Sequence, residues 1–272
     1  MSKLVIANWK SNPSTSAEAI RLAKESTKDA PKNVDVVLCA PSVFLESLSK
    51  TLQVSSFRFQ AALGAQDLFW ESPPAGGGPY TGEILPSMLK KLKVSHAIIG
   101  HSERRRLLHE TEDMINKKVL AALNAGIVPI LCVGEPEQRG KSKGESEKLA
   151  QNYIRKQLEK DLKGLSVRSS LSSHPLIVCY EPAWSISTAH GVKGQNNADT
   201  PANATRMIRN IKNYLTSHLF PLSSFHFIYG GSVNPKNAEA FLNEPEIDGV
   251  LVGGASLKPA EFRSILKIAS QA

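Results

Sequence analysis

Cysteine is scarce in this chain of 272 residues: Cys39, Cys132 and Cys179 are an odd set without a C-x-x-C pair. Such a set suits neither a disulfide framework nor a zinc site, and a reducing, cytoplasmic compartment is expected. Each cysteine sits in or ends an apolar run, which marks it as a small buried hydrophobe. No apolar stretch approaches the length of about 18 residues that spans a bilayer, so no membrane partner is expected. The short apolar run at 4–8 is followed at once by Trp9 and Lys10, and reads as a first strand and not a signal peptide. Long basic tracts are missing too. Lysine and arginine number 33 against 25 acidic residues, a net charge of +8, yet the longest basic run is Arg104-Arg105-Arg106 without interleaved aromatics. Nucleic acid is therefore not an expected partner, whereas small phosphorylated anions suit the positive field. No G-x-G-x-x-G follows the first strand, and no H-E-x-x-H, Walker or serine-elbow pattern occurs.

What the chain does have is alternation. Short apolar, β-branched runs at 4–8, 34–40, 57–61, 97–100, 127–133, 176–180, 225–229 and 249–252 read as strands. Helical patterns fall between and after them, at 16–27, 43–51, 82–91, 114–125, 145–162, 202–219, 235–242 and 259–269. Mid-chain strands are apolar throughout, as parallel strands covered on both faces must be. Parallel neighbours need crossover helices. An α/β chain of eight such units in this length favours a closed (β/α)8 barrel over an open doubly wound sheet. No linker or composition break appears, so a single domain spanning 1–272 is expected. Two segments are long for loops, 67–80 with its Pro/Gly-rich 72–79, and 182–200.

Barrel enzymes place reactive groups where strands end. The first strand ends in Asn8-Trp9-Lys10, the fourth in Gly100-His101-Ser102-Glu103, and the sixth in Tyr180-Glu181-Pro182. The seventh and eighth end in Gly230-Gly231-Ser232 and Gly253-Gly254. Those glycine turns let backbone N–H groups approach an anion, and this is the usual phosphate position of such barrels. Lys10 adds a fixed positive charge. Glu181 leaves an apolar strand, where desolvation makes a carboxylate a better general base. His101 stands before an expected helix start, which disfavours imidazolium and leaves a neutral hydrogen-bond donor. A base, a donor, a lysine and an anion cradle imply proton abstraction beside a carbonyl, with no metal or organic cofactor required. Arg105 is expected to pair within the barrel, and Cys132 to pack near Glu135 and Glu103.

The stretches Ala7-Asn8-Trp9-Lys10, Gly64-Ala65-Gln66-Asp67, Tyr80-Thr81-Gly82-Glu83, Ile99-Gly100-His101-Ser102-Glu103-Arg104-Arg105, Tyr180-Glu181-Pro182, Tyr229-Gly230-Gly231-Ser232-Val233 and Val252-Gly253-Gly254-Ala255-Ser256-Leu257 occur in order along the chain. Together they resemble the triosephosphate isomerase family over nearly the whole length. The resemblance implies a TIM barrel that interconverts dihydroxyacetone phosphate and D-glyceraldehyde 3-phosphate in glycolysis and gluconeogenesis. It implies Glu181 as proton shuttle and His101 as electrophile, a pairing general to this enzyme type. It implies that Asn8 and Lys10 hold the substrate, that Glu103 lies beneath the lysine, and that Ser187, Ser232, Gly253 and Gly254 meet the phosphate. Trp184 and Glu135 resemble a hinge pair of the loop after the sixth strand, with Tyr229 in support. A homodimer through the loop around Thr81, reaching the neighbour's Lys10, is implied as well. The chain departs from the family at Ser187, Ala189 and His190 and in the insertion at 72–79. Those departures leave room for a longer phosphorylated ketose such as erythrulose phosphate. A phosphosugar-binding paralogue without activity would lack the base, the histidine or the lysine, and all three are present.

Overall fold

Eight parallel strands close into a barrel in chain order. They are β1 (Lys3–Asn8), β2 (Val34–Ala40), β3 (Ala61–Ala65), β4 (His96–Ile99), β5 (Val128–Val133), β6 (Leu176–Tyr180), β7 (Phe225–Tyr229) and β8 (Gly249–Val252). The ring closes where β8 returns to β1, with Ile6 opposite Leu251. This computed structural model describes residues 2–54, 61–71, 78–136, 143–165, 175–186 and 199–272. The helices among them are α1 (Ser16–Thr27), α2 (Ser42–Val54), α3 (Pro86–Lys91), α4 (Ser102–Leu107), α5 (Glu112–Asn124), α6 (Lys143–Asp161), α7 (Pro201–Ser217), α8 (Ala238–Leu242) and α9 (Pro259–Ala269). Threonines cap α1, α5 and α7: Thr15, Thr111 and Thr200 each accept a backbone N–H of the first turn. None of the described helices is long and apolar enough to cross a membrane.

Side chains alternate between two apolar layers. Leu4, Ile6, Val37, Cys39, Ile98, Ile130, Cys132, Ile177, Cys179, Ile228 and Leu251 fill one cluster, the barrel interior. Val5, Ala7, Leu38, Leu131, Val178 and Phe227 belong to the other, between barrel and helices. A strand buried on both sides needs no polar face, which accounts for the continuous apolar runs. All three cysteines lie in the interior cluster. Cys132 and Cys179 are register partners across β5 and β6. Their mutual hydrogen bond and burial push the Cys132 thiol up, and burial does the same to Cys39 and Cys179. These thiols stay neutral and pack as hydrophobes.

Three expectations need correction. The third strand is described at Ala61–Ala65 and so runs past the expected end at Ala61, while 57–60 of the expected 57–61 lie outside the described residues. Its small side chains lower strand propensity but make room for Val37 and Cys39 of β2. The helix expected at 82–91 begins only at Pro86, since proline is suited to the first helical position and Leu85 before it is extended. Ile84 and Leu85 owe their spacing to burial in the preceding loop. Finally, α4 adds a short helix after β4 that the count of eight helices omitted.

Candidate active site

The inward row of each strand runs on into the mouth. Leu4 and Ile6 lead to Asn8, Ile177 and Cys179 lead to Glu181, Ile228 leads to Gly230, and Leu251 leads to Gly253. A period of two therefore delivers these groups to one end of the barrel. They bound a cavity of about 260 Å³, shared with Lys10, His101, Ile186, Gly231, Ser232 and Gly254.

His101 leaves β4 through Gly100 and becomes the N-cap of α4. Its Nδ1 accepts the backbone N–H of Glu103 at 3.2 Å. The ring proton consequently sits on Nε2, which faces Glu181 Oε1 at 2.8 Å. The second oxygen of Glu181 accepts the Ser102 N–H at 3.1 Å. Both side chains are buried, His101 at 7% and Glu181 at 3% exposure. Burial works against a charged imidazole, but the adjacent Glu181 carboxylate outweighs it and holds the His101 pKa above its ordinary value. Separating the two groups would remove that pull and leave burial, Lys10 and the amide on Nδ1, which favour neutral imidazole, against the Glu103 carboxylate.

Lys10 lies on the other side of the cavity. Its backbone is left-handed, with φ of 51°. A non-glycine residue held this way signals strain compensated by its surroundings. Asn8 Oδ1 accepts the Lys10 N–H at 3.0 Å, and Gln66 donates to the Lys10 carbonyl at 2.8 Å. The ammonium pairs with Glu103 Oε1 at 2.6 Å. Glu103 thus holds both side chains of this pair, its amide to His101 and its carboxylate to Lys10.

The glycine turns after β7 and β8 are braced from behind. Asn237 donates to the Ser232 carbonyl and accepts the Asn234 N–H, fixing the turn after β7. Ser256 returns both its N–H and its hydroxyl to the Gly253 carbonyl, fixing the turn after β8. Beneath Gly231 lies Tyr229, stacked on Phe241 with centroids 4.1 Å apart. A Cβ on Gly231 would collide with the Tyr229 hydroxyl, so glycine is required for the turn to settle there.

Behind β6, Glu135 Oε1 accepts from Trp184 Nε1 at 3.0 Å and from Tyr180 at 3.1 Å. Burial raises the Glu135 carboxyl against those two hydrogen bonds. Asp199 faces the same group, and burial pushes it up to about 6. Its Oδ1 accepts from Thr200 N and Asn203 Nδ2, both at 2.8 Å, while Oδ2 is buried without a partner among the described residues.

The sequence-predicted residues Asn8, Lys10, His101, Glu103, Glu181, Ser232, Gly253 and Gly254 gather at one mouth, and Glu135, Trp184 and Tyr229 lie behind it. Ser187, Ala189 and His190 fall outside the described residues, as do 72–77 of the insertion. Arg105 finds its carboxylates on the surrounding helices, at Glu112 of α5 and Asp161 of α6, and not within the barrel. Asp199 and the bracing role of Gln66 escaped the sequence reading. The acid before Thr200-Pro201 looks like ordinary helix-start chemistry, and only burial distinguishes it.

The chain is similar to known proteins over almost all of its length. A family model described as triosephosphate isomerase matches residues 3–269. A protein named triosephosphate isomerase from Dictyoglomus thermophilum is 40% identical over 268 residues, covering 97% of this chain and 98% of its own. Proteins of the same name from Gloeothece citriformis and a Synechocystis species are 38% and 39% identical over 270 residues. Each match covers 98% of this chain, with 99% of the Gloeothece protein and 98% of the Synechocystis one. A match that spans the barrel and its mouth together leaves one assignment: the chain belongs to the triosephosphate isomerase family.

Proposed function

We propose that the chain interconverts dihydroxyacetone phosphate and D-glyceraldehyde 3-phosphate by proton transfer through an enediolate. The observation that carries this reading is the 2.8 Å contact between His101 Nε2 and Glu181 Oε1 in a cavity that also holds Lys10 and two glycine turns. The turns at Ser232 and at Gly253-Gly254 receive the phosphate. Binding there positions the three-carbon unit remote from the reacting bond. The carbonyl enters between His101 and Lys10 and parts His101 from Glu181. Glu181 takes a proton from the carbon beside the carbonyl, and the electron pair moves onto the carbonyl oxygen. His101 Nε2–H donates to that oxygen, and the Lys10 ammonium offsets its charge. His101 Nε2 passes its proton to that oxygen and takes the hydroxyl proton from the adjacent one, Glu181 returns its proton to the neighbouring carbon, and the carbonyl reforms one position along. Asn8 holds Lys10 in place. Ser187 belongs to the loop that closes over the phosphate, with Trp184 and Glu135 at its hinge.

The active form is a cytoplasmic homodimer. The loop around Thr81 is exposed, and so are Leu107 and Leu108, at 59% and 58%. These two leucines line a cleft with Lys10 and Glu103, which the partner's loop would cover. A coupled assay on glyceraldehyde 3-phosphate tests the reading. Turnover is expected, with kcat/KM at least about tenfold above that for erythrulose phosphate, since a pocket that fits one chain length discriminates against another by this order. The reverse ranking overturns the triose assignment, and absence of turnover overturns the isomerase.

A further inference from the structure

Arg105 touches neither the cavity nor the reacting groups, yet it joins the backbone segments that carry them. Its Nε donates to the Gly100 carbonyl at 2.6 Å, and its Nη2 to the Cys132 carbonyl at 3.0 Å. Nη2 also donates to Asp161 Oδ2 at 2.8 Å, and Nη1 pairs with Glu112. Gly100 is the residue before His101 and has φ of 72°. A Cβ there would lie 2.7 Å from Nη2, so the guanidinium rests against the glycine backbone. Arg105 itself rides on α4, whose first amides hold Glu181 and His101. Cys132 is the β5 register partner of Cys179, two residues before Glu181. One guanidinium therefore fixes the end of β4, the end of β5 and the short helix between the two reactive side chains.

Asp161 holds that guanidinium from the last position of α6. It is 0% exposed, and among the described residues its Oδ1 is buried without a hydrogen-bond donor, with the Glu112 carboxyl as its other close neighbour. The charged groups facing it are Arg105 from α4 and Glu112 from α5, while Asn116 of α5 binds its backbone carbonyl and not its side chain. A carboxylate at this depth with half its hydrogen-bonding capacity unmet is costly to the fold. We propose that Asp161 is a positioning residue of the isomerase reaction: by accepting from Arg105 Nη2 it locks α4 onto β5 and so sets the spacing between His101 and Glu181. It acts as an acceptor and not as a charge. Burial pushes its carboxyl up to about 8 against the pull of Arg105, and the neighbouring Glu112 carboxyl pushes it the same way by hydrogen bonding and repulsion.

This inference rests on the roles given above to His101 and Glu181, and the wild-type assay is therefore run first. Asp161→Ala and Asp161→Asn are then compared with wild type in kcat, KM and thermal stability at pH 7. Misplacement of a reacting group by about 1 Å is worth about a hundredfold, so Asp161→Ala is expected to lose about 10- to 100-fold in kcat with KM within about threefold. Asp161→Asn keeps an acceptor oxygen and is expected to retain kcat within about twofold. Wild-type kcat in Asp161→Ala, or a loss confined to KM or stability, overturns the inference. Asn as slow as Ala overturns its acceptor basis. If Asp161→Ala does not fold, Asp161→Ser carries the same reading with a smaller void. Lack of turnover by the wild type would strike the isomerase reading itself, whereas an active wild type with an equally active Asp161→Ala strikes only this inference.

Discussion

Replacing Asp199 with asparagine should stabilise the protein, and the gain should grow with pH. In the folded chain burial holds this carboxyl at about 6, against an ordinary value of 3.8. A carboxyl held about two pH units high costs about 3 kcal/mol once ionised. The folded state binds more protons than the unfolded one between those two values. The contribution is hence fully favourable below about pH 4 and is lost as pH rises through about 6. Asparagine carries no such dependence. Its Oδ1 can keep the contacts with Thr200 N and Asn203 Nδ2, while its amide fills the position of the unpartnered Oδ2. The Glu135 carboxylate and the phenols of Tyr180 and Tyr229 lie within electrostatic reach of Asp199. Urea unfolding at fixed protein concentration, repeated between pH 4 and 7.5, measures the gap between Asp199→Asn and wild type. The gap should widen by about 2 to 3 kcal/mol in favour of the variant. A gap independent of pH, or one that widens in favour of wild type, would refute the assignment of a raised carboxyl here.

Glu181→Asp draws the carboxylate back along its own side chain, and kcat should fall by about a hundredfold or more while KM changes little, as steady-state kinetics will read. An unchanged rate removes Glu181 from the reaction. Gly231→Ala forces Tyr229 off its stack with Phe241. It should lower stability by about 1 to 3 kcal/mol and raise KM through the displaced phosphate turn, to be followed by thermal melts and kinetics. Size-exclusion chromatography with light scattering should give a dimer, and a monomer would mean that the loop around Thr81 does not dock.

The barrel was legible because its strands are buried on both sides, which leaves an unusual apolar signature at Val128–Val133 and Leu176–Tyr180. The mouth was legible because reactive residues directly follow those runs. Ala61–Ala65 was not, because its requirement is small volume beside β2, and propensity sees only that alanine and glycine make poor strands. The start of α3 was blurred for a related reason: Ile84 and Leu85 imitate a helical stripe while packing in a loop. Asp161 and Asp199 were invisible because an acid at a helix end ordinarily faces water. Their burial is set by α5, α6 and the residues behind β6, which are distant in sequence.

The alternating parity of the strands has a consequence for how such a chain can diversify. Adding one residue within β6 would rotate Glu181 from the mouth into the helix layer, where no substitution elsewhere could recover it. Stretches beyond the strand ends carry no such phase and can lengthen without turning any strand residue to the other layer. Novelty in this architecture is therefore confined to its rim, while the staves tolerate exchange of side chains but not a change of count.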